Sequence, residues 1–145
     1  MMMATTAEAQ QVGGGRLPSP GLLVSAAASP ITQGQTMYVS LAGSDVSGAS
    51  TDVQTRLDAG TLKRLRCYVS VAPGGVETVQ LIVQTGACGT ALSNSTLTCT
   101  VTGTAQTADD LTNTVSVTAG QCGVVKATYS ATAATSAPRA WVQVF

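Results

Sequence analysis

The 145 residues include seven basic and seven acidic side chains and no histidine, so the formal charge is zero. A neutral chain lacks the surplus of lysine and arginine that displaces counterions from phosphates, which argues against nucleic-acid binding. Without histidine, the commonest general base, metal ligand and pH switch are all missing.

Residues 1–34 differ from the rest. They carry Gly13-Gly14-Gly15, Leu17-Pro18-Ser19-Pro20 and Ser29-Pro30, and repeated Gly and Pro oppose a long helix or a central strand. The composition predicts an extended N-terminal arm that is ordered only where a partner surface ties it down. Residues 1–10 lack the basic start and continuous apolar stretch of a signal peptide, and no run of eighteen apolar residues follows. The expectation is synthesis in a cytoplasm, no export by that route and no membrane span.

Strands begin at Gln35. Met37, Val39 and Leu41 alternate with Thr36, Tyr38 and Ser40, the period of a half-buried strand. Residues 42–59 read as a Gly/Ser/Asp-rich loop with a short helical turn over residues 53–57. Residues 61–71 form a strong strand, with Leu65, Cys67, Val69 and Val71 inward and Arg64, Arg66, Tyr68 and Ser70 outward. Ala72-Pro73-Gly74-Gly75 turns the chain, and residues 77–85 return with Val79, Leu81 and Val83 inward. Leu97, Cys99 and Val101 share one face of the next strand and Thr98, Thr100 and Thr102 the other. A polar link with Asp109-Asp110 leads to strands over residues 113–117, 124–129 and 140–145.

Seven or eight short strands at this spacing predict an all-β domain. The expected architecture is a jelly-roll-like antiparallel β-sandwich over residues 35–145. Its aromatics are only Tyr38, Tyr68, Tyr129, Trp141 and Phe145, so the core falls to Val, Leu, Ala and Thr. Either a small aliphatic core suffices, or neighbouring subunits add stability.

Little in the chain carries chemistry. Cys67, Cys88, Cys99 and Cys122 lack CxxC spacing, so a metal site would need all four sulfurs to converge. Plain core packing explains buried cysteines well; the alternative is a disulfide, with Cys88–Cys99 the first candidate pair because the two flank one hairpin-like excursion. Asp109 and Asp110 are adjacent and so point to opposite faces of an extended chain, which fits a solvated turn better than a catalytic pair or, with Asn113, a weak calcium site. Lys63, Arg64 and Arg66, with Arg56 nearby and Asp58 opposing, read as a solvated strand edge. Tyr68 beside Arg64 and Arg66 is either incidental or part of a sugar- or protein-binding patch. No nucleophile, base and orienting group assemble, so neither an enzyme nor a cofactor is expected.

One resemblance adds to this. Residues 60–70, Gly-Thr-Leu-Lys-Arg-Leu-Arg-Cys-Tyr-Val-Ser, followed by Ala72-Pro73-Gly74, resemble an opening found in small jelly-roll virion proteins of tailed bacteriophages. So do Leu97-Thr98-Cys99-Thr100-Val101 and, after Asp110, residues 113–120. The pattern departs at Gln121-Cys122. The resemblance implies a capsid cement (decoration) protein, a homotrimer that binds the outside of the major capsid protein shell and stabilises it. It places the chain on the virion surface, with no nucleic-acid or membrane partner. Arg16, Leu17, Leu22 and Leu23 are then the expected arm anchors, and Arg64 and Arg66 the polar rim. The alternative within the same lineage is a receptor- or carbohydrate-binding jelly roll of a tail or head fibre.

Overall fold

The computed structural model describes residues 21–145, so Arg16 and Leu17 lie outside the described residues. Ten strands follow in order: β1 (Gly21–Ala26), β2 (Thr36–Ser40), β3 (Val46–Ser47), β4 (Thr55–Arg56), β5 (Gly60–Val69), β6 (Thr78–Ala87), β7 (Ser93–Thr102), β8 (Thr107–Val117), β9 (Gln121–Tyr129) and β10 (Pro138–Val144). A single 3-10 turn, Ser50–Asp52, is the only helical element among the described residues. The strands form a four-stranded sheet in the order β1-β10-β5-β8 and a larger sheet in the order β3-β2-β9-β6-β7, with β4 also on β9.

Setting aside the two-residue strands β3 and β4, eight strands remain. The first pairs with the last (β1 with β10), the second with the seventh (β2 with β9), the third with the sixth (β5 with β8) and the fourth with the fifth (β6 with β7). All are antiparallel. The β10–β5 and β9–β6 pairings join these couples into two sheets. An antiparallel ribbon wrapped in this way is a jelly roll.

The inward positions pack between the sheets. Leu62, Leu65, Cys67 and Val69 from β5 meet Val79, Leu81 and Val83 from β6, Leu97, Cys99 and Val101 from β7, and Val125, Ala127 and Tyr129 from β9. Tyr129 is the only aromatic in this core; its hydroxyl lies 3.0 Å from the Ser136 carbonyl and 2.9 Å from Ser136 Oγ. Burial pushes its phenol pKa up, and the Ser136 contact opposes that only in part.

β9 is buried on both faces at its start: Cys122, Gly123, Val124 and Val125 are all inside. Val124 joins Val53 and Leu92, with Tyr38 against them, in a second small core on the outer face of the larger sheet. Gln54 pins this cover, donating to the Thr90 carbonyl and accepting from Gly89 N–H, both at 2.7 Å. At Gly123 a Cβ would stand 2.8 Å from Leu41 Cδ2 and 3.1 Å from Leu57 Cδ1.

Several expectations are corrected. The sandwich starts at Gly21 and not at Gln35, because β1 pairs along its whole length with β10. Leu23 and Ile31 enter the core, and the prolines at 20 and 30 bracket this strand instead of preventing it. Of the two expected arm anchors here, Leu23 is buried in its own domain and only Leu22 is exposed. The turn within residues 42–59 falls at Ser50–Asp52, and Thr55–Arg56 is a strand. Val71 lies beyond the end of β5 and is half exposed. Asp109-Asp110 is no link, but lies inside β8.

All four cysteines are paired, and Cys88–Cys99 is not one of the pairs. The disulfides are Cys67–Cys99 and Cys88–Cys122, with Cα separations of 6.5 Å and 5.0 Å. Cys99 points into the core from the middle of β7 and meets the inward Cys67 of the opposite sheet. Cys88 follows β6, whose end pairs with the start of β9, where Gly86 sits opposite Cys122. Register decides the partner, and proximity along the chain does not.

Candidate binding groove

The outer face of the four-stranded sheet carries the chain's most distinctive surface. Residues facing each other across antiparallel strands share a side, so register gives transverse rows. One row runs Val24, Trp141, Arg66, Asp109 across all four strands, and the next runs Ala26, Arg139, Tyr68, Thr107. Leu22 and Gln143 begin a third, which meets Lys63.

This third row is irregular. β5 and β8 shift register between Lys63 and Leu65: Lys63 faces Thr114 and Leu65 faces Asp110, so Arg64 alone opposes Leu111, Thr112 and Asn113. β10 also slips, between Trp141 and Gln143. Arg64 takes up the difference with a φ of 55°, the only positive φ at a non-glycine among the described residues. A left-handed conformation at such a residue costs about 1–2 kcal/mol, and bulges characteristically re-aim a side chain beside a working site.

Asp110 holds the β8 half of the irregularity. One carboxylate oxygen accepts from the backbone N–H groups of Thr112 (3.3 Å) and Asn113 (3.1 Å). The other accepts from Thr98 N–H of β7 at 3.1 Å and from Asn113 Nδ2 at 2.9 Å. Burial pushes its pKa up, but the donors of Asn113, Thr98 and Thr112 outweigh burial and hold it below the usual aspartate value. The loop it ties down projects Leu111, which is 54% exposed.

The result is an open groove of about 700 Å³ lined by Leu22, Arg64, Arg66, Cys67, Thr107, Asp109, Leu111, Trp141 and Gln143. Arg66 Nε lies 3.9 Å from Asp109 Oδ1, with the two side chains 63% and 44% exposed, a loose pair. Arg64 Nη1 reaches Gln143 Oε1 at 3.4 Å, and the Lys63 ammonium sits 3.8 Å above the Phe145 ring. Four of the seven basic residues, Lys63, Arg64, Arg66 and Arg139, thus belong to one face whose exposed acid is Asp109.

The structure brings Leu22, Arg64 and Arg66 together in this groove. It also corrects the reading of the basic cluster. β5 is an interior strand of its sheet, not an edge, and Asp109 stands against Arg66. Sequence reasoning missed Trp141, Gln143, Asp109 and Leu111. The alternation Arg139, Trp141, Gln143 in the last strand was the available signal, since all three share the outward parity. Another carboxylate with a firm role is Glu77, which accepts from Ser130 Oγ at 2.5 Å and Thr132 N–H at 3.2 Å. Those bonds, Ser130 first, lower its pKa. Among the described residues, no three His, Cys, Asp or Glu side chains converge on a metal position, and no helix is long and apolar enough to cross a membrane. No family model and no curated protein matches the chain.

Proposed function

We propose that this protein is a bacteriophage capsid cement protein, a homotrimer that seats on the outside of the major capsid protein shell and stabilises it. The observation that carries the reading is β1. It is the border strand of its sheet, it presents Leu22 and Val24 to solvent at 51% and 41% exposure, and it is where the first twenty residues join the sandwich. Twenty residues reach roughly 70 Å when extended, far enough to cross onto a neighbouring subunit. Gly43 already holds the Val24 carbonyl and the Ala26 N–H on this border, so an extended segment adds strand pairing only ahead of Val24, and many copies multiply modest contacts into firm attachment. The jelly-roll connectivity and two disulfides support the same reading, since disulfides persist on virion surfaces and rarely inside cells.

The test is binding to undecorated capsids of the parent phage. The whole chain attaches in hundreds of copies and raises the capsid's resistance to heat, while a chain beginning at Gly21 loses most of its affinity. Equal binding by the shortened chain, or attachment in only a few copies, overturns the proposal; the second result favours a fibre component.

A further inference from the structure

We propose that the groove over β10 and β5 is a binding site for an acidic saccharide, one whose sugar rings carry carboxylates. This goes beyond the cement reading and does not rest on it. A saccharide presents two kinds of surface: an apolar C–H face to each ring, and hydroxyls that both donate and accept. Trp141 lies in the groove between Leu22 and Leu111, an apolar platform of the right kind. Around it stand polar groups that pair with neighbouring hydroxyls: Asp109 accepts, Arg64 and Arg66 donate, and Gln143 and Thr107 do both.

Charge selects among saccharides. Lys63, Arg64, Arg66 and Arg139 against Asp109 and the ionised Asp110 at the bulge leave a surplus of two positive charges around the groove (four minus two). The arginines are not consumed by their neighbours, for the Arg66–Asp109 pair is long and exposed and the Arg64–Gln143 contact is 3.4 Å. Guanidinium forks match carboxylates in two parallel charge-assisted hydrogen bonds, stronger than those that the hydroxyls of a neutral sugar accept. The positive φ at Arg64 adds a separate argument. Glycine would relieve the backbone there at no steric cost, so the arginine side chain is kept against local strain. A volume of about 700 Å³ lies within the range of small-ligand sites, roughly 300–1,000 Å³.

The experiment uses the free full-length protein, independently of any capsid. Trp141 is the only tryptophan, so its fluorescence reports directly from the groove. Titration with a hexamer of galacturonate shifts the emission and saturates. A galactose hexamer binds at least tenfold more weakly. Arg66→Gln, a change at an exposed side chain, weakens galacturonate binding about tenfold or more, and Asp109→Ala, which removes a hydroxyl acceptor and also the exposed negative charge beside Arg66, weakens the galactose hexamer more than the galacturonate hexamer. Lys126→Gln, on the other sheet, changes nothing. The proposal is overturned by no saturable response to galacturonate, by equal binding of the two sugars, or by a short polyglutamate peptide that binds as tightly as the saccharide, which would make the groove a site for acidic protein segments.

Discussion

The two outer faces of this jelly roll obey one alternation rule and end up chemically opposite. On the larger sheet a row crosses four strands as Thr36, Thr128, Gln80 and Thr100, neutral hydroxyls and an amide that suit water. Where that face is apolar, around Val124, the chain covers it with Val53 and Leu92 and pins the cover through Gln54 and the Cys88–Cys122 disulfide. On the four-stranded sheet, among the described residues, Leu22, Val24 and Leu111 are exposed and Trp141 is half-buried beside the arginines. An exposed apolar patch rimmed by charge marks an interaction site. Among the described residues, one face is closed by the chain's own loops and the other is open.

Removing the staples is the strongest way to break this contrast. Each disulfide closes a loop of similar length, with sequence separations of 32 and 34, and chain-entropy arguments give each about 3–4 kcal/mol. Replacing Cys88 and Cys122 by serine loosens the covered face, so denaturant unfolding shifts by about that amount while the groove keeps its ligand affinity. Replacing Cys67 and Cys99 by alanine costs at least as much, because it also empties core volume.

Gly123→Ala probes the closed side more gently. Its Cβ would press on Leu41 and Leu57 within van der Waals contact, a cost of about 1–3 kcal/mol in unfolding experiments, again with no change at the groove. On the open side, Asp110→Asn turns one of the two oxygens that accept from Thr98, Thr112 and Asn113 into a donor, and costs about 1–3 kcal/mol. The wild-type carboxylate also imposes a pH dependence. Its pKa is lower folded than unfolded, so its stabilisation is complete above the unfolded value, about 3.9, and fades as pH falls through the lower folded value. Asp110→Asn therefore flattens the acid limb of a stability–pH curve. The smallest effect has the opposite sign. Arg64→Gly relaxes the positive φ and raises stability by up to about 1 kcal/mol, while weakening whatever the groove holds.

Much of the fold was legible because strand alternation is a direct consequence of backbone geometry. Val79, Leu81, Val83, Leu97, Cys99 and Val101 are inward where the pattern puts them. β5 shows where that logic stops. Leu62 and Leu65 are both fully buried although their parities differ, because the bulge at Arg64 switches the inward set from even to odd numbers. No local residue pattern announces that switch. β1 was hidden for another reason: its flanking prolines read as breakers, yet a border strand tolerates them at its ends. The disulfide partners depend on which strands become neighbours, which spacing along the chain does not encode. The groove combines both obstacles, since its lining comes from four strands distant in sequence and from a register slip in the middle one.

The proposed attachment to a capsid shell is tested most directly by hydrogen exchange on the protein with and without capsids. The account predicts that amides of Gly21–Ala26 gain protection over the free protein, while those of Ser93–Thr102, the far border of the other sheet, exchange as before. Protection that appears along Ser93–Thr102 and leaves Gly21–Ala26 unchanged would contradict it.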